Sequence, residues 1–177
     1  PIVASWIETL LAVSPAAIAL HGRTLSQRYQ GLADWAAIGQ AAELAKGTGT
    51  LILGNGDVSS RVDALRRVST YGVDGVLIGR AAMGDPFVFH PGHRRAPDPR
   101  LISVAAAHSQ LFEATFRHER RYRFVPMRKH LNAYARRIGL STAVRAQLLH
   151  TESSAEVAAI PQDAVDNRGE FAAAKRD

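Results

Sequence analysis

The sequence contains no cysteine, which excludes disulfides, thiolate metal sites and any thiol acid or nucleophile on this chain. It has no apolar run approaching the ~20 residues that a bilayer span needs. It also lacks the basic segment, apolar stretch and small-residue cleavage site of a secretory signal. These absences set the expectation of a cytoplasmic chain with no membrane partner. No metal is expected either, because His21, His90, His93, His108, His118, His130 and His150 are not spaced with carboxylates as ligands would be. Ser26 and Ser59 have no nearby base to activate them as nucleophiles. Acidic residues are scarce in one stretch above all. From Arg117 to Arg145, Glu119 stands alone against Arg117, Arg120, Arg121, Arg123, Arg128, Lys129, Arg136, Arg137 and Arg145.

What is present is a globular composition. The 177 residues are 46% hydrophobic and 21% charged, with a net charge of +6, enough for a core or for a piece of something larger. The chain opens on Pro1 without a methionine, and Ile2, Val3, Trp6, Ile7, Leu10 and Leu11 follow a helical period with no capping residue before them. That is how a chain entering mid-helix reads, and the expectation is a fragment. The basic stretch from Arg117 to Arg145 has two readings, the footprint of a polyanion partner or a solvated helix surface.

Three apolar runs are each followed by a turn and a helical stretch: Ala16–Leu20 before His21-Gly22-Arg23-Thr24, Leu51–Leu53 before Gly54-Asn55-Gly56-Asp57, and Val76–Ile78 before Gly79-Arg80. None alternates with polar residues, the mark of strands covered on both faces. Asp34 can cap a helix carrying Trp35, Ile38, Ala42 and Ala45 and closed by Gly47. Ser59 or Ser60 can cap the next, with Val62, Leu65 and Val68 on one face, Asp63 at capping-box spacing from Ser60, and Gly72 past its end. This βαβαβ series predicts a parallel sheet, either doubly wound or part of a (β/α)8 barrel, for which three strands are too few. Residues 1–90 form this part, and the Pro- and Arg-rich residues 91–100 read as a linker. Residues 101–160 read as a helical bundle. In it Leu101, Val104, Ala105, His108, Leu111, Phe112 and Phe116 line one helix, and Met127, Leu131, Tyr134 and Ile138 a second. Val144 and Leu148 begin a third helix, and Ser153 with Glu156 cap a fourth. Residues 161–177 read as a flexible polar tail.

A strand that ends in a glycine turn before a helix presents unpaired amides and a positive dipole end, which suit phosphate. A single such turn equally serves to link strand to helix. Two side by side, at Asn55-Gly56-Asp57 and at Gly79-Arg80, point to phosphate binding, with Arg80 adding a fixed charge. Asp57 has a second reading as a helix N-cap. His21, at the end of the preceding strand, reads as a loop histidine held by a hydrogen bond or as a ligand contact.

The stretches "HGRTLSQRYQGLADW", "LILGNGDVSS", "VDGVLIGRAAMGDPFVF" and "MRKHLNAY" occur in this order, and together they resemble the tRNA-dihydrouridine synthases. The resemblance runs from about Ala17 to Val157. It implies the C-terminal part of a (β/α)8 TIM barrel, its last three strands, followed by a helical tRNA-binding domain. It implies FMN as cofactor, NADPH as hydride donor and tRNA as partner, in an enzyme that is monomeric when complete. Hydride goes to C6 of a uridine while a cysteine protonates C5. Carried onto this chain, His21 faces the flavin, while Asn55, Gly56, Asp57, Gly79 and Arg80 hold the FMN phosphate end. Arg128, Lys129 and His130 approach the RNA, with Arg120, Arg121, Arg136 and Arg137 as further candidates. The cysteine-bearing loop and the KxRxG lysine of that family are absent here, so the chain by itself is expected not to reduce uridine. Two other readings stay open: a non-catalytic RNA-binding adaptor, and another phosphate-binding flavin barrel acting on a small metabolite.

Overall fold

Short apolar segments too brief for a helix become three strands, β1 (Ala17–His21), β2 (Leu51–Asn55) and β3 (Gly75–Leu77). The computed structural model that shows them describes residues 2–28, 30–93 and 98–160; residues 94–97 of the expected linker and the expected tail 161–177 lie outside the described residues. The strands form a parallel sheet in the order β1-β2-β3. Ala17 lies opposite Leu51 and His21 opposite Asn55, while Leu53 lies opposite Gly75 and Asn55 opposite Leu77.

Helix α1 (Ile2–Leu11) precedes the sheet, and α2 (Trp35–Ala45) and α3 (Arg61–Tyr71) make the two crossovers. Their ends follow from side-chain chemistry. The Asp34 carboxylate accepts the Ala37 amide at 2.9 Å. Ser60 Oγ accepts the Asp63 amide at 3.1 Å, and the Asp63 carboxylate accepts the Ser59 amide at 3.1 Å, a reciprocal pair like a capping box but reaching one residue further back. Gly72 ends α3 in the left-handed region at φ 65°, where glycine carries no Cβ penalty. Ile7, Ile18, Trp35, Ile38, Ala41, Ile52, Ala64 and Val73 form the core between helices and sheet.

Two expectations are corrected. The strands begin and end one or two residues away from the expected runs: β2 continues through Gly54 and Asn55, so Asn55 belongs to the sheet and not to the turn after it. Nor are the strands covered on both faces. Among the described residues only the face holding Ile18, Ile52 and Gly54 is buried under helices, and Leu51 on the other is 50% exposed. Three strands with their own crossovers supply a single covering layer, whereas the run of apolar residues is suited to two.

The chain divides into two compact units, one of Pro1–Ala82 with Phe87–His93 and one of Met83–Pro86 with Arg94–Asp177. The described part of the second contains α4 (Arg100–Phe116), α5 (Val125–Ile138), α6 (Thr142–His150) and the short α7 (Ser154–Ala158). Leu101, Met127, Leu131, Ala135 and Ile138 are fully or almost fully buried at its centre. Ser141 and Ser153 cap α6 and α7, accepting the amides of Val144 and Glu156. Gly84, at φ 73°, lies so close to α5 that a Cβ would fall 2.4 Å from the Ala133 carbonyl carbon. Beside it the buried Asp85 carboxylate accepts the Arg137 Nε–H at 2.6 Å.

Candidate phosphate cradle and basic surface

Because β1, β2 and β3 are parallel and in register, their C-terminal ends lie side by side, and residues just beyond them meet. His21 faces Asn55 across the sheet. Continuing that register two residues brings Arg23 to Asp57, where the guanidinium donates to both carboxylate oxygens at 2.8 and 2.6 Å. On the other side, Asn55 faces Leu77, and Arg80, three residues further, donates to Asp57 Oδ1 at 2.6 Å. The backbone amide of Ala33 adds a third donor at 2.8 Å. One carboxylate therefore ties together the segments that follow all three strands.

Asp57 sits at φ 52°, a left-handed conformation that aspartate tolerates better than most residues. It is not the helix N-cap, a place that Ser60 takes. Burial pushes the Asp57 carboxyl up, but hydrogen bonds from Arg23 and Ala33 and the charges of Arg23 and Arg80 outweigh it and hold the group below the usual carboxylate range. The pair with Arg23 is the enclosed one, at 5% side-chain exposure for the arginine, while Arg80 is 61% exposed at the rim. Arg23 also donates to the carbonyls of Gln30 and Gly31 at 3.0 and 2.8 Å, so the same side chain shapes the segment leading to α2.

The turn between β2 and α3 is held from below. Trp35 Nε1–H donates to the Gly56 carbonyl at 2.8 Å, and Arg67 donates to the Asp57 carbonyl at 3.2 Å with its guanidinium 4.5 Å from the Trp35 ring centre. Gly56 has φ 134°, and a Cβ there would fall 2.5 Å from that of Ala33. Only glycine fits that conformation and that space. Gly79 is the opposite case: nothing lies within 4 Å of the Cβ position, so the backbone is open to a ligand from that side.

His21, the last residue of β1, has Nδ1 3.0 Å from the Asn55 carbonyl oxygen. A carbonyl only accepts, so Nδ1 is the donor of this bond, and the exposed ring is held at the strand end. The Asn55 carbonyl also receives the Gly22 amide at 2.9 Å. Asn55 is therefore fixed through its backbone. The cradle residues expected from sequence, His21, Asn55, Gly56, Asp57, Gly79 and Arg80, thus come from adjacent strand ends. Arg23, Ala33 and Trp35 belong to the same assembly and were not singled out; the signal for Arg23 lay in the parallel register, which pairs positions the same distance past two strands.

The basic residues of the helical unit separate into two groups. Arg128 is half-buried: Nε donates to the Thr151 carbonyl at 3.0 Å and Nη2 to that of His150 at 3.4 Å, with Glu152 at 3.6 Å. Its guanidinium fastens α5 to the negative end of α6. His130 is also half-buried, with its ring 5.1 Å from that of His108 on α4; His108 Nδ1 lies 3.3 Å from the Tyr134 hydroxyl. Arg137 is bound to Asp85. Lys129, Arg136, Arg120 and Arg121 are exposed. Among the described residues there is no group of three side chains that could hold a metal ion and no helix long and apolar enough to cross a membrane.

Residues 5–169 match the family model of the dihydrouridine synthases. A probable tRNA-dihydrouridine synthase of Mycobacterium leprae (strain TN) is 38% identical over 133 residues, 70% of this chain and 33% of that protein. One from Mycobacterium tuberculosis (strain ATCC 25618 / H37Rv) is 38% identical over 147 residues, 77% of this chain and 36% of that protein. One from Staphylococcus aureus (strain N315) is 30% identical over 157 residues, 88% of this chain and 48% of that protein. The chain thus spans between a third and a half of the length of these curated relatives. It belongs to the dihydrouridine synthase family.

Proposed function

We propose that this chain is the C-terminal part of a tRNA-dihydrouridine synthase, an oxidoreductase that reduces uridine in tRNA. In this reading β1–β3 are the last three strands of a (β/α)8 barrel, and α4–α7 form a bundle that grips the tRNA. The observation that carries the reading is the convergence of Arg23, Arg80 and the turn at Gly56 on Asp57 at one end of the sheet.

The residues present fit the phosphate end of FMN. Two guanidiniums, the enclosed Arg23 and the exposed Arg80, gather at the strand ends around one carboxylate. Gly79 leaves backbone open to an approaching oxygen, and backbone donors at such turns bind phosphate without needing side chains. Arg80 and the amides at Gly56 and Gly79 would hold the phosphate. Asp57 would not touch it, because two anions in contact repel; its part is to fix Arg80 and Arg23. His21 would meet the isoalloxazine with Nε2. When bound and reduced by NADPH, FMN supplies the hydride that reaches C6 of the uridine.

The proton for C5 comes from a cysteine in the family that this chain resembles, and this chain has none. We therefore propose that the chain alone does not reduce uridine. The exposed Lys129, Arg120, Arg121 and Arg136 would meet tRNA phosphates without reading sequence, so affinity falls as salt rises. The test is deletion of the gene that carries this chain, followed by mass spectrometry of the tRNA. Loss of dihydrouridine from at least one position, restored by the complete gene and not by residues 1–177 alone, is the expected result. Unchanged dihydrouridine at every position contradicts the reading.

A further inference from the structure

The corner between α4 and α5 carries more than charge. Phe112 and Phe116 lie one turn apart near the end of α4, with ring centres 5.0 Å from each other. Tyr122 and Phe124 bring their rings to 6.2 and 6.1 Å from Phe112. With Val125 and Pro126, the rings of Phe112, Phe116 and Tyr122 wall a cleft of about 460 Å³, whose lining also includes Glu119, Arg121 and Arg123. Phe124 is buried, whereas Phe116 is 44% and Val125 53% exposed. The Glu119 amide donates to Phe116 and the Tyr122 amide to Glu119, both at 2.9 Å, so two successive turns set the rim. The Tyr122 hydroxyl is buried with no hydrogen-bond partner, an unused donor and acceptor in the wall.

Exposed aromatic rings beside exposed arginines suit a particular ligand chemistry. An inorganic anion has no use for the rings, and an apolar peptide has no use for Arg117, Arg120, Arg121 and Arg123 against Glu119 alone. An unstacked nucleobase uses both. Its flat face replaces water on a phenyl ring, and the phosphates on either side of it meet guanidiniums. We propose that this cleft holds one unpaired nucleobase of the bound RNA, stacked on Phe116 with its flanking phosphates on Arg121 and Arg123. The inference rests on RNA as the partner. It adds a base subsite in the helical unit, separate from the strand-end cradle, and one indifferent to base identity because every base has a π-face.

Fluorescence anisotropy on the full chain tests it, with three labelled probes: a short oligouridylate, an abasic ribose-phosphate oligomer of the same length, and a tRNA transcript. The unsubstituted chain is expected to prefer the oligouridylate to the abasic oligomer. Phe116→Ala should weaken oligouridylate binding roughly tenfold, the loss of one stacking contact, and leave the abasic oligomer unaffected. Phe116→Tyr should retain the preference, which separates a lost ring from a damaged fold. Arg121→Gln should weaken both oligomers and reduce the salt slope by about 0.7, one phosphate contact on a single strand. Equal effects of Phe116→Ala on the two oligomers, or no preference in the unsubstituted chain while the transcript binds, overturns the cleft alone. Failure of all three probes to bind overturns RNA as the partner as well.

Discussion

Asp57 is where local backbone, tertiary structure and proposed chemistry meet in one residue. Its carboxylate takes three donors from two segments, the β1–α2 connection and the turn after β3, and the Arg23 guanidinium is almost wholly enclosed. Removing one partner of an enclosed pair costs more than the pair contributes, because the other charge remains buried. Asp57→Ala should therefore lower unfolding stability by ~2–4 kcal/mol, measured by urea denaturation; a change under ~0.5 kcal/mol would show that Arg23 has another sufficient partner. The same carboxyl predicts an acid limb. It is held below its usual range in the folded chain, so its contribution is complete above the unfolded value of about 4 and is lost as pH falls through the folded value. Asp57→Asn should flatten that limb. Gly56→Ala meets both a φ of 134° and the Ala33 methyl, and should cost ~2–3 kcal/mol. From sequence, Asp57 had two equal readings, because a carboxylate after a strand suits a cap or a site equally well. The cap reading falls because Ser60 takes that place, and the carboxylate instead meets Arg23, 34 positions away, a pairing that only the parallel register brings about.

At the level of elements, hydrophobic period and caps made the helices legible almost whole. Asp34, Ser60 and Ser153, all expected as caps, begin helices where a hydroxyl or carboxylate takes the first amides; Ser141 does the same for α6 without that expectation. Strand ends were less legible, since Gly54 and Asn55 look like turn residues yet stay in β2, paired with Leu20 and His21 on one side and Val76 and Leu77 on the other, with the Trp35 ring where a Gly54 Cβ would be. Arg128 shows a different limit. A basic residue on a helix attracts either phosphate or the carbonyls of another helix end, and both carry negative charge; here the carbonyls of His150 and Thr151 take it. Arg128→Ala should loosen α6 from α5 and lower stability by ~1 kcal/mol, with a smaller effect on RNA affinity than the exposed Lys129→Ala. The His108–His130 contact between α4 and α5 gives the helical unit its own pH response. Burial lowers His108, and burial with the nearby His108 and Lys129 charges lowers His130. The folded chain thus binds these protons less readily than the unfolded one, so stability is full above about pH 6.5 and declines as pH falls below it. His130→Gln should reduce the decline between neutral and mildly acid pH, followed by thermal melts.

For the molecule as a whole, the division of labour follows from where charge and backbone openings lie. The sheet unit gathers its candidate cradle residues at one end of three strands, and the helical unit carries exposed basic side chains on α5 and between α4 and α5. One sheet face remains uncovered among the described residues, with Leu51 half exposed and Leu77 40% exposed, which suits further barrel strands in a complete enzyme. The most direct measurement is flavin affinity in the complete protein that carries this chain, comparing FMN with riboflavin, which differ only in the phosphate. The account predicts that FMN binds at least roughly tenfold more tightly and that Arg80→Ala removes most of that advantage while riboflavin binding is unchanged. Equal affinity for the two flavins, or an undiminished FMN preference in Arg80→Ala, would contradict it.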